Sequence, residues 1–236
     1  MCIRDRSWYS ADDDPIAVLR AEQKAKNPWV EERILNHFKR KDLVIADIGC
    51  GGGFLTNYLS LKFDQVSGLD ASESSLAIAK KNDSSKQVNY IIGDAYKLPF
   101  EDNSCDVVCA MDFLEHVEDP ERVVKECSRI LKEDGLFFFH TFNRNPIAWL
   151  IVIKFMEWFV PNTPKNLHVL HLFIKPKELE KMMINNRLES REWTGLGPKF
   201  DKYFLKSLLA RKVIEGFSFK MNKSLLLGYM GYSIKK

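Results

Sequence analysis

A chain of 236 residues with 45% apolar and 28% charged residues is long enough for one generous domain and composed like an ordinary globular protein. That composition excludes a disordered or fibrous chain, and a formal net charge of +3 is too small to argue for a nucleic-acid partner. The five cysteines (Cys2, Cys50, Cys105, Cys109 and Cys127) form no CxxC pair, which fits a reducing compartment with thiols used as small core residues.

The opening MCIRDRS resembles translated sequencing-adapter sequence, so residues 1–7 are expected to be artefactual; no apolar run follows its basic residues, so no secretory signal is expected. LVIADIG (43–49) reads as a first strand, followed by a glycine cluster and a helix in FLTNYLSLKF. QVSGLD (65–70) is a second strand, and SESSLAIAKKN a second helix capped by Ser72. VNYIIGD (88–94) is a third strand. CDVVCAMD (105–112) is a fourth, continuously apolar as in a parallel strand buried on both faces. Its Cys105 and Cys109 lie four apart, which predicts one shared face and a core role rather than a metal pair.

PERVVKECSRILK (120–132) has helical apolar spacing with Pro120 in its first turn, and Gly135 is expected to stop it before a fifth strand, GLFFFHTF (135–142). An insertion at 143–173 carries the apolar run IAWLIVIKFMEWFV (147–160). KPKELEKMMINN is then a helix, and LESREWTG and SLLLGYMGYSIKK are late strands joined by a long polar linker, which suggests a closing hairpin. The order predicts an α/β fold: a Rossmann-like doubly wound, mostly parallel seven-stranded sheet with an antiparallel hairpin and a helical insertion after strand five. Residues 1–42 form a separate N-terminal segment with a helical lid, and 43–236 the main domain.

Asp47-Ile48-Gly49-Cys50-Gly51-Gly52-Gly53 ends the first strand. A dinucleotide fingerprint would need a third glycine where Phe54 stands, and no Walker lysine follows. The aspartate two residues before GxGxG instead suits a ligand carrying an ammonium or sulfonium charge, because it would repel a pyrophosphate. Asp70 ends the second strand, 21 residues after Gly49, where a carboxylate accepts hydrogen bonds from ribose hydroxyls. Asp94 ends the third, beside the backbone amide of Ala95, and suits an adenine amino group.

This set resembles the class I S-adenosylmethionine-dependent methyltransferases over residues 43–142. The resemblance implies S-adenosylmethionine as cofactor, with Asp47, Gly49 and Gly51 around its methionine moiety. It further implies Asp70 on the ribose, Asp94 and Ala95 at the adenine, and Met111 packed on the cofactor. DFLEHVEDPERVV, TFNRNPIAWL and PKNLHVLHLFIKP together resemble the O-methyltransferase family of ubiquinone biosynthesis, which methylates phenolic hydroxyls of polyprenylated quinone precursors. Two departures stand out. The arginine that usually follows NP, and is thought to meet the cofactor carboxylate, is replaced in NPWVEER by Val30, leaving Lys24, Lys26 or Arg33 as substitutes. Val169 stands where an aspartate usually follows the histidine of PKNLH.

A phenol has a pKa of about 10, so its proton must leave before or during attack, with help from a base or a Lewis acid. Asp112, Glu115 and His116 match a family segment that in some members binds a divalent metal such as magnesium; the other reading is a cluster of acids at a helix start. His168 matches the family histidine and is expected to contact substrate or act as base, as is His116; His140 reads as a polar residue at the end of strand five.

The apolar run has 14 residues, short of the roughly 20 needed to cross a bilayer. As a helix it pairs Lys154 with Glu157 on a narrow polar stripe and leaves its tryptophans for a membrane interface, a sheet-packed helix or a dimer contact. Residues 196–223 add a basic excess, including Lys202, Lys206, Arg211 and Lys212, that anionic lipid would attract. The expected setting is cytoplasmic, peripheral to the inner membrane face, with a polyprenylated phenol or quinol as substrate and no nucleic acid. The alternatives are a methyltransferase for another small molecule, a C-methyltransferase of quinone biosynthesis, and a non-catalytic cofactor-binding partner.

Overall fold

The computed structural model describes residues 8–10, 12–164 and 166–236; the adapter-like residues 1–7 lie outside them. Helix α1 (Pro15–Phe38) opens where Asp14 accepts a hydrogen bond from the Ala17 amide, with Pro15 pre-set for the first turn. The alternation expected from the sequence follows: β1 (Val44–Ile48), α2 (Phe54–Ser60), β2 (Gln65–Asp70), α3 (Glu73–Lys81), β3 (Asn89–Ile92), β4 (Cys105–Met111), α4 (Pro120–Ile130) and β5 (Leu131–Phe142). The insertion is helical. α5 (Pro146–Ala148) runs through a π-helical stretch (Trp149–Phe155) into α6 (Met156–Phe159). Then come α7 (Pro176–Asn185), β6 (Leu188–Pro198), α8 (Lys202–Ala210), β7 (Phe219–Asn222) and β8 (Gly228–Lys235).

All strands join one sheet in the order β3-β2-β1-β4-β5-β8-β6-β7. The first five are parallel; β8 runs antiparallel to both β5 and β6, forming the expected closing pair. The sheet has eight strands rather than seven, because β7 adds antiparallel to the end of β6. The supposed polar linker therefore holds both a strand and the amphipathic α8. Strand order reverses between β1 and β4, so the crevice at their carboxyl ends is the switch point where open α/β sheets take ligands.

The core has two layers because both sheet faces are covered. Val108, Ala110, Phe137 and Phe139 face α4 and α7, while Val107, Cys109, Leu136 and Phe138 face α1 and α2. Cys105 and Cys109 do not share a face as period-two counting predicts. A register shift between Cys105 and Val107 turns Cys105 into the first layer and leaves Cys109 in the second. Both thiols are fully buried.

α4 also ends earlier than Gly135 suggested. The Lys235 ammonium donates to the carbonyls of Ser128 (2.8 Å) and Leu131 (2.7 Å), satisfying acceptors at the helix end, and Leu131 already pairs with Cys105 in the sheet.

The insertion seats Ala148, Val152 and Ile153 on Phe173, and Lys154 donates to Glu157 at 2.7 Å. Its other face is open: Ile147, Trp149, Leu150, Ile151 and Trp158 are exposed. No helix among the described residues is long and apolar enough to cross a membrane.

Candidate active site

The turn after β1 is built on left-handed backbone at Gly49 (φ +72°) and Gly51 (φ +51°), which a side chain would strain. It is also crowded. A Cβ on Gly49 would fall 2.1 Å from the Phe113 ring, and one on Gly52 2.4 Å from the Trp8 ring. Tyr9 donates its hydroxyl to the Gly52 carbonyl at 2.9 Å, so the segment before α1 folds back over the glycine turn.

Asp47 and Asp70 bear on this turn, and Asp94 follows β3, two strands away in the sheet. Asp47 is buried and accepts from the Thr56 hydroxyl at 2.6 Å. Burial raises its carboxyl to about 7; the Thr56 bond opposes the rise, and the charges of Asp70 and Asp112 add to it. Asp70 accepts from the amides of Gly51 (2.9 Å) and Ser72 (2.8 Å), pinning the turn to β2. Asp94 is exposed and accepts from the Tyr96 amide, with Ala95 buried beside it. Met111 is buried in the layer facing α1, together with Leu55 and Trp29.

This cleft is short of positive charge. Burial first, and then the charges of Asp70 and Asp112, raise the Asp47 carboxyl to about 7, a penalty on its charge that a ligand bearing sulfonium and ammonium groups would relieve. S-adenosylmethionine fits that demand; a pyrophosphate does not.

The two candidate histidines come together. The His116 and His168 rings stack with centroids 5.6 Å apart, and His168 also meets Phe142 edge-on. Burial, then the neighbouring His116, holds the acid form of His168 down at about 3, so its imidazole is neutral. A cleft of about 550 Å³ opens beside it, lined among others by Arg144, Trp149, Ile153 and His171.

The expected metal set Asp112, Glu115 and His116 does not converge. Among the described residues, the group whose ligand atoms lie within 4.8 Å of one another is Glu22, Asp112 and His140. Glu115 turns into the core, where burial and then the Asp112 charge push its carboxyl up to about 8 and keep it protonated at neutral pH. His116 belongs to the stack with His168. Asp112 is taken by another cation: Lys26 Nζ donates to its two oxygens at 2.7 and 2.6 Å and to Glu22 at 2.9 Å. Gln23 donates to Asp112 at 3.1 Å, and His140 Nδ1 lies against it. Burial opposes the charge on Asp112, yet Lys26 and His140 outweigh it and hold the carboxyl well below the usual carboxylate range.

Lys26 also separates the three substitutes for the missing arginine. Lys24 is exposed, and Arg33 stacks on Trp29 while its guanidinium pairs with Glu192 at 3.0 Å. Lys26 alone of the three stands at the carboxyl edge of the sheet. Val30 is a core residue, fully buried against β1 and α2. The Lys26 network was not read from the sequence, although a signal existed. Glu22, Lys26, Val30 and Ile34 form one helical row at four-residue spacing, and a buried apolar row that continues into charged residues marks a polar site.

Residues 46–139 match the family of methyltransferase domains. A ubiquinone biosynthesis O-methyltransferase of Acinetobacter baumannii is 34% identical over 185 residues, 75% of this chain and 76% of that protein. Its counterpart in Pseudomonas putida is 36% identical over 171 residues, 71% of this chain and 72% of that protein. Among solved structures, an S-adenosylmethionine-dependent methyltransferase from Thermotoga maritima superposes with a TM-score of 0.63 at 23% identity, covering 93% of this chain and 92% of that one. The magnesium protoporphyrin IX methyltransferase of Synechocystis, solved with bound S-adenosylhomocysteine, gives 0.63 at 15% identity over 91% and 83%. Both share the fold.

Proposed function

The chain belongs to the ubiquinone biosynthesis O-methyltransferase family of S-adenosylmethionine-dependent enzymes, and from that premise we propose that its acceptor is the phenolic hydroxyl of a polyprenylated quinone precursor, met at a membrane surface. The observation that carries this reading is the apolar face of the insertion, exposed beside the cleft at His168. Among the described residues no layer covers Ile147, Trp149, Leu150 and Ile151, and Trp158 is 57% exposed. Arg211, just beyond α8, donates to the Trp158 carbonyl at 3.2 Å, so α8 continues the surface with Leu205 and with Leu209, which is 76% exposed. Lys206 and Arg211 supply charge for anionic headgroups. An isoprenoid tail can stay in the bilayer while its ring enters the cleft.

The cofactor supplies an activated methyl group on a sulfonium; the protein has only to align, desolvate and move a proton. The acids of the glycine turn hold the positive end of the donor. His168, neutral and walled by Phe142 and Phe173, accepts a hydrogen bond from the ring hydroxyl and so orients it; with its acid form near 3 it is a poor final home for the proton. His116 stacks on it with its own acid form lowered by burial, so the proton leaving the hydroxyl through His168 passes on to solvent at the exposed edge of His116 rather than resting on either ring. The aromatic walls exclude water from the transfer.

Sedimentation with anionic liposomes tests the membrane part. The full chain is expected to co-pellet at low salt, and Leu150→Glu combined with Trp158→Glu to lower the bound fraction at least about tenfold by burying charge in the interface. A wild-type chain that stays in the supernatant at low salt contradicts it.

A further inference from the structure

We infer that Lys26 is a built-in cation at the end of β4, occupying the place between Glu22 and Asp112 that a divalent ion would need, and that methyl transfer by this chain is independent of such an ion. This role requires the reaction type of the family and no particular acceptor.

The Lys26 side chain is wholly buried, and its ammonium meets both oxygens of Asp112 and one of Glu22, each within 2.9 Å. Those carboxylates, with His140, are the ligand atoms that converge among the described residues. A metal would have to compete for them. Entry of an ion takes from the buried ammonium the two ion-pair partners it has among the described residues, and an unpaired buried charge costs several kcal/mol. The remaining contacts on Asp112 reinforce the arrangement. Gln23 donates to the same carboxylate, His140 Nδ1 lies against the Oδ1 that Lys26 also meets, and the Asp112 amide donates to the His140 carbonyl at 3.2 Å. Asp112 itself sits in left-handed backbone (φ +56°), so its carboxylate is aimed by a constrained turn.

Burial works against the charge on Lys26, but Asp112 and Glu22 overcome it and raise its pKa, so the ammonium persists across the physiological range. The remaining members of the expected metal set are elsewhere: Glu115 is in the core and His116 is against His168. Lys26 is thus a positioning residue. It fixes Asp112 and brings the carboxylate-rich edge closer to neutrality with a charge that cannot be chelated away.

The test is a Mn²⁺ titration of the full chain, followed by the paramagnetic resonance signal of the free ion. Wild type is expected to show no saturable site below about 1 mM. Lys26→Ala frees Glu22, Asp112 and His140, and should gain one site at least about tenfold tighter; adding Asp112→Asn should remove it. Chelation should leave wild-type methyl transfer within about twofold of the untreated enzyme. Circular dichroism establishes that the variants are folded. A folded Lys26→Ala that gains no site overturns the inference, as does chelator-sensitive methyl transfer restored by Mg²⁺. If Lys26→Ala does not fold, the wild-type titration decides: saturable binding below 1 mM that Glu22→Gln weakens overturns the inference, and its absence supports it.

Discussion

Replacing Asp112 with alanine is expected to destabilise the protein by roughly 3–5 kcal/mol, the cost of removing one partner from a buried ion pair. Lys26 lies wholly out of solvent and would keep only Glu22. Asp112→Asn preserves the shape and one acceptor oxygen, so a smaller loss is expected. The double variant Lys26→Met with Asp112→Leu should recover much of the stability, since neither charge then remains to be desolvated; Glu22, which is partly exposed, can return to water.

The pH dependence has a definite sign. The native carboxyl of Asp112 is depressed, so its stabilising contribution is present above the unfolded value near 3.9 and is lost as pH falls from there through the native value. Urea unfolding of wild type, Lys26→Met, Asp112→Leu and the double variant forms a double-mutant cycle, and the same measurement on Asp112→Ala and Asp112→Asn gives the other differences. A loss below about 1 kcal/mol for Asp112→Ala would mean that Lys26 is not held as described.

Asp47→Asn is expected to act in opposite directions on stability and on cofactor binding. The native carboxyl is raised from its ordinary value of 3.8 to about 7, with burial as the main cause. A raised acid stabilises the fold fully below the unfolded pKa, and that contribution is lost as pH rises through the native one, here between about pH 4 and pH 7. The size of the change is roughly 4 kcal/mol. Asparagine keeps an oxygen for the Thr56 hydroxyl and never ionises, so the cofactor-free variant should melt higher than wild type at pH 8. If Asp47 faces the sulfonium and ammonium groups as proposed, affinity for S-adenosylmethionine should fall about tenfold to a hundredfold. Wild-type affinity should also strengthen as pH rises from 6 to 8, since the cation favours the ionised carboxylate, and this Asp47-dependent part should vanish in the variant. Calorimetric titration at several pH values, with melting curves of the free protein, checks both halves. A variant that binds the cofactor as tightly as wild type would remove Asp47 from the binding site.

The glycine turn and its acids were legible because their signals are local. A β-rich run ending in Asp47-x-Gly49-x-Gly51, and acids at the ends of the second and third strands, can each be read within a few residues of the strand end that carries them. The long alternation gave the doubly wound sheet for the same reason. What escaped depends on contacts between distant segments. Lys26 and Asp112 are 86 residues apart, and nothing near either names the other. Cys105 changed face through a register shift that leaves no mark in the composition of β4. β7 has only four residues and acquires its strand character from pairing with β6, so no period could show it. Residues 196–223 looked like a linker because its lysines mask α8, whose Leu205 and Leu209 point outward. His140 reads from the sequence alone as a strand-end polar residue. Its importance arises only when β4 and β5 lie side by side and bring it against Asp112.

Isotopically labelled methyl transfer from S-adenosylmethionine into a membrane extract containing hydroxylated polyprenyl phenols tests the proposed function most directly. With the purified chain, the label is predicted to appear in the lipid phase as an O-methyl ether of the polyprenylated ring, and to decline when Trp158 and Leu150 carry glutamate. Label confined to water-soluble products, or attached to ring carbon, would contradict it.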